Sequence, residues 1–160
     1  MSFWAYFRRF WVLQSLLLWQ GGFLFYAAIV VPIGTDIHGS FQQGLVTEQV
    51  TWYLNLIGLV CLGFLLWEMV TSQGSPLRRS RWAIWYTWLV TLLILIGLHE
   101  FLERMIPSLN LEGNFEVYQQ FLFYHGVYLW ISTLQWVLGM GYLLMILKAW
   151  CGNSRPFGNV

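Results

Sequence analysis

The residues best suited to chemistry cluster between His99 and His125. Two of the three histidines bracket this stretch, and Glu100, Glu103, Glu112 and Glu116 lie within it. Neutral imidazole with carboxylate suits zinc, copper or iron. Two imidazoles on adjacent helices can hold a haem axially. A histidine titrating near pH 6.5 can also act as a protonation switch. The candidate metal ligands are His38, His99, Glu103 and His125, and the candidate haem ligands are His99 and His125. The cofactor to look for is haem b or a divalent transition metal. His99 and Glu103 are four apart and share a helix face. Glu100 and Arg104 have the same spacing and are expected to form an exposed ion pair, which contributes roughly 0–1 kcal/mol. The run His-Glu-x-x-Glu lacks the second histidine of the zinc-protease helix, and Asp36-x-His38 is less specific still. The plainer reading comes first: boundary histidines beside a rim of solvated carboxylates.

Three amides lie deeper. Gln20, Asn55 and Gln135 fall inside apolar runs, where an unpaired amide costs several kcal/mol. Hydrogen bonds between helices, worth about 1 kcal/mol each, are the expected use. The alternative is a polar track for a solute. Glu68 is expected to pair near the Arg78–Arg81 cluster, and Cys61 to be a packing residue. Cys61 and Cys151 have neither metal-type nor redox-type spacing. The many glycines within the spans read as packing positions.

These side chains need a scaffold, and composition names it. The 160 residues are 58% hydrophobic and only 9% charged. A soluble domain has roughly 25% charged residues, so this chain cannot cover a globule in water. A net charge of +1 gives no footprint for nucleic acid. A bilayer core takes roughly 20 apolar residues of helix. Four spans satisfy this, at about 10–31, 50–70, 82–105 and 115–147. Pro32 is expected to end the first, Pro107 the third, and Gly74-Ser75-Pro76 to form a turn. The fold expected is all-α: a single domain, 1–160, built as a four-span antiparallel transmembrane bundle with two longer loops at one end. The first apolar run has 22 residues, longer than the roughly 7–15 of a cleaved signal peptide, so it is read as a retained span.

Charge orients the bundle. Arg8, Arg9, Arg78, Arg79, Arg81, Lys148 and Arg155 fall at one end. Arg104 stands at the other, against Asp36, Glu48, Glu100, Glu103, Glu112 and Glu116. The positive-inside rule predicts cytoplasmic termini in a plasma or inner membrane, with all three histidines outside. Trp4, Trp11, Trp67, Trp82, Trp85 and Trp150 fall near the inner interface, and Trp52 and Trp130 near the outer one. Trp19 and Trp136 lie deeper and are expected between helices.

Phe123-Tyr124-His125-Gly126-Val127-Tyr128, continuing to Gln135-Trp136 and Gly139, resembles the last helix of a four-helix membrane family. That family is grouped with copper-resistance protein D and a haem-binding bacterial protoporphyrinogen oxidase. Gly21-Gly22-Phe23 and Val31-Pro32 are similar to its first helix. The resemblance implies a compact four-helix bundle and equates His125 with a family histidine near a helix end. The haem-binding relatives use further histidines and basic residues inside the bundle, whereas the apolar runs 10–31, 50–70, 82–98 and 126–147 carry no lysine or arginine. No complete catalytic motif is present. The first functional expectation is a binding or accessory subunit of a larger membrane complex, in contact with lipid. The alternatives are a haem- or metal-binding redox protein and a small transporter.

Overall fold

A computed structural model describes the backbone of residues 3–72, 77–111 and 115–152, with side chains for all of these except 107–111, 115 and 152. Helix α1 (Phe3–Phe25) passes through one π-helical turn (Tyr26–Val30) into α2 (Val31–His38). Helices α3 (Ser40–Thr71), α4 (Arg78–Leu111) and α5 (Phe115–Gly152) follow. Four stretches are long and apolar enough to cross a bilayer: Phe3–His38, Ser40–Thr71, Arg78–Ile106 and Glu116–Cys151. Helix is the form that satisfies each span's backbone hydrogen bonds without water. Between 22% and 39% of each apolar stretch is buried within the bundle. The rest of that apolar surface, including Leu17, Leu24, Leu93 and Leu144, faces outward and suits a lipid environment.

The helices form a ring: α1 packs on α3, α3 on α4, α4 on α5, and α5 closes onto α1. Side-chain contacts run in opposite order along neighbours. Tyr26 meets Thr47, Trp11 meets Phe64 and Arg8 meets Glu68. Phe101 meets Tyr124, and Arg81 meets Tyr142. The bundle is therefore antiparallel, with a basic end where α1 begins and α5 finishes.

The helices overrun their expected limits. Pro32 does not end the first span. It lies in the first turn of α2, directly after the π-helical turn. Proline removes one backbone donor and crowds the carbonyl four residues back, and the wide turn accommodates both effects. Helix α3 starts at Ser40, not near residue 50, so the long first loop expected there is absent. Gly39 alone makes the reversal, at φ 82° and ψ 160°, a conformation open essentially to glycine. Tyr26, Gln43 and Thr47 pin this hairpin: the Tyr26 hydroxyl donates to Thr47 Oγ1 at 3.0 Å, and Gln43 Nε2 donates to the tyrosine oxygen at 3.2 Å. Helix α4 continues past Pro107 to Leu111. The Gly74-Ser75-Pro76 turn, Glu112, Arg155 and the chain beyond 152 lie outside the described residues.

The basic end is tied across helices. Glu68, 1% exposed, pairs with Arg8 from α1 and accepts from Trp150 Nε1 of α5 at 3.0 Å. The expected partner region, around Arg81, is engaged elsewhere: Arg81 donates to Tyr142 Oη at 3.2 Å and to Ser72 Oγ at 3.5 Å. Arg9 lies over the Trp150 ring. Trp85 and Trp150 were expected to present their N–H groups to the wet interface. Trp85 Nε1 instead donates to the Leu62 carbonyl at 3.0 Å, and Trp150 is held by Glu68. Next to this end lies a dry core that includes Val12, Leu16, Cys61, Leu62, Leu65, Leu92 and Ile146.

Candidate functional site

The other end opens into a cup of about 210 Å³ between α3 and α4. Helix α3 supplies Glu48, Gln49 and Trp52, and α4 supplies His99, Glu100 and Glu103. Both sets have the spacing i, i+1, i+4, which places each on one helix face. The facing helices thus bring three carboxylates to one recess. Among the described residues none of the three makes an ion pair. Glu100 and Arg104 were expected to bond, but they do not. An exposed pair gains too little to fix two long side chains.

His99 is the hinge of the arrangement. It is 8% exposed, and its ring lies 6.0 Å from that of Trp52 at an interplanar angle of 25°. Its Nδ1 is 3.5 Å from Thr51 Oγ1, while its Nε2 makes no hydrogen bond among the described residues. Glu103 shares the cup, as its spacing from His99 predicts. His125 does not line it: that ring stacks on Phe121 of its own helix at 5.9 Å. His38 is exposed at the end of α2.

Among the described residues, no three His, Cys, Asp or Glu side chains come close enough to share an ion. The set His38, His99, Glu103 and His125 is therefore not assembled as a metal site. His99 and His125 have different ring neighbours, Trp52 of α3 and Phe121 of α5.

Behind His99 the polar lining continues inward. Thr51 also borders a second cavity of about 20 Å³, together with Asn55, Tyr128, Ser132 and Gln135, over Trp19. Asn55 Nδ2 donates to Tyr128 Oη at 3.2 Å, joining α3 to α5 across the ring. Gln135 reaches α4, where Nε2 donates to the Trp88 carbonyl at 3.3 Å and to Thr91 Oγ1 at 3.4 Å. In the opposite amide orientation its oxygen accepts from Trp88 Nε1 at 3.2 Å. Asn55 and Gln135 thus make the interhelical bonds expected of them. Gln20 does not. Its side-chain Nε2 is buried without a hydrogen-bond partner, and its backbone carbonyl lies 3.4 Å from the donor Trp136 Nε1.

Two glycines make room for this centre. A Cβ on Gly139 would lie 2.6 Å from Gln20 Nε2 and 3.1 Å from the Trp88 ring. A Cβ on Gly58 would lie 2.9 Å from Trp19 Nε1. Gly21, Gly63, Gly97, Gly126 and Gly141 meet nothing within 4 Å, so the packing role expected of them has no contact to support it.

Sequence reasoning missed Glu48, Gln49 and Trp52 as half of the cup, and Tyr128 as the centre of the inner polar group. The signal for the first was available. Glu48 and Trp52 are four apart, once the helix is extended back past residue 50. Comparisons with models of known families, with curated proteins and with solved structures return no match.

Proposed function

We propose that this chain is a small, non-catalytic binding subunit of the plasma or inner membrane, and that its acidic cup holds an ammonium or guanidinium group. The observation that carries this reading is the convergence of Glu48, Glu100 and Glu103, all without ion pairs, around His99 and the half-exposed face of Trp52. Three like charges in a recess focus a negative potential. An indole face beside them adds attraction for an organic cation. A transition metal would need a tighter donor set than the cup supplies. The excess of arginine at the far end favours cytoplasmic termini and an outward-facing cup.

The cation can come from a small molecule or from a lysine or arginine of a larger membrane complex. The test is a tryptophan-fluorescence titration of detergent-solubilised protein with tetramethylammonium and with ethylguanidinium. The expected result is a saturable change, weakened about tenfold, or ~1.4 kcal/mol, in a Glu48→Gln/Glu103→Gln variant. A stoichiometric partner released by ethylguanidinium identifies the side-chain source. Cation binding without such a partner identifies the small-molecule source. Absence of a response to either cation overturns the reading. Tight zinc or haem binding abolished by His99→Ala replaces it with the metal or redox alternative.

A further inference from the structure

Thr51 borders the inner cavity and touches the cup through His99. Its hydroxyl lies 3.5 Å from the Nδ1 of His99, which lines the cup, and it also borders the inner space. That inner space is about 20 Å³, and a single water needs roughly 10–15 Å³ and two to four polar partners. Thr51, Asn55, Tyr128, Ser132 and Gln135 supply the partners. One turn further along α5, beside Gly139, the Gln20 amide nitrogen is buried with none. The floor is aromatic: the Trp19 and Trp88 rings meet at 4.7 Å between centroids. Below them come Leu16, Cys61 and Leu62, each 0–1% exposed.

We propose that the acidic half of the bundle is a one-sided half-channel. It admits water, and protons with it, from the cup past His99 and Thr51 to Gln135 and Gln20 near the middle of the spans. The Trp19–Trp88 pair closes it. A lipid-filled exterior cannot satisfy buried amides, so a chain of polar side chains leading to an unpartnered one points to water access. The half-channel opens through the same cup that takes the cation, but it does not require a cation to bind there.

Silver ion is small enough to follow water and blocks thiols. The native Cys61, 0% exposed in the dry half, is a built-in control. The chain is prepared with Ser132→Cys and Cys151→Ser and reconstituted in proteoliposomes. Silver is applied to one face, and the remaining thiols are then labelled after denaturation. The Ser132→Cys thiol is expected to be blocked from the acidic face about tenfold faster than Cys61 or more, a barrier difference of about 1.4 kcal/mol. Blocking from the basic face should not exceed that of Cys61. Thr51→Val should slow the acidic-face reaction. Asn55→Cys is a second reporter, should the first variant fold poorly. The proposal is overturned if both reporters react as slowly as Cys61, or equally from both faces. Trp52 fluorescence in the same proteoliposomes reads cation binding separately, so failure of one proposal is distinguishable from failure of the other.

Discussion

In the basic half, the space between the helices is filled by Val12, Leu16, Leu62, Leu65 and Ile146, each no more than 1% exposed. In the acidic half the corresponding space is bordered by Thr51, Asn55, Tyr128, Ser132 and Gln135, mixed with Trp19, Phe23, Leu54 and Leu95. The same three helices, α3, α4 and α5, run through both. The contrast extends to the ends. Glu68 is consumed by Arg8 and Trp150, whereas Glu48, Glu100 and Glu103 are left without ion pairs. The basic half holds the larger apolar core, and the acidic half combines polar groups with a smaller apolar cluster around Leu95, Leu102 and Tyr128. Stability and binding are therefore expected to separate by depth along the bundle.

The sharpest way to break this division is at the clamp. Arg8→Ala removes the guanidinium paired with the buried Glu68 and should cost about 3–5 kcal/mol. Thermal unfolding in detergent should show a larger drop for Arg8→Ala than for Gly39→Ala or Asn55→Leu. A loss no greater than that of a surface change would mean that the clamp does not hold the basic half together. Next is the turn at the acidic end. Gly39→Ala forces a side chain into a backbone region reserved for glycine and should cost about 1–3 kcal/mol, read by the same unfolding assay. Smaller still is Asn55→Leu. It deletes one interhelical bond, for about 0.6–2 kcal/mol, and should slow silver access to the Ser132→Cys thiol more than it lowers stability. If Asn55→Leu proved as destabilising as Arg8→Ala, the two halves would not differ in role.

The sequence disclosed the large features because they are carried by bulk physics. Four apolar runs and a one-sided arginine distribution need no partner to be read. The ends of the helices were less legible. Pro32 and Pro107 are stop signals in water, yet both lie inside helices, Pro32 just after a π-helical turn. Reading residues 32–49 as loop left Glu48 off the helix that carries Trp52 and faces His99. The Arg8–Glu68 pair spans 60 positions, and nothing local indicates it. Spans that are apolar nearly all round also hide which face turns inward, since lipid and core accept the same side chains. That is why Gly139 and Gly58, which make room for Gln20 and Trp19, cannot be told from Gly63 and Gly97 by sequence. His99 and Glu103 were legible as a helical pair. Their companions across the cup required the register of α3 against α4.

The most direct test of the division is amide hydrogen exchange in lipid nanodiscs, compared between two sets of segments. Backbone openings exchange only where water reaches them. Residues 49–56 and 127–135 should exchange measurably faster than residues 60–68 and 140–147. Equal protection of the two sets, or faster exchange in the segments around Cys61 and Tyr142, would contradict the assignment of one wet half and one dry half.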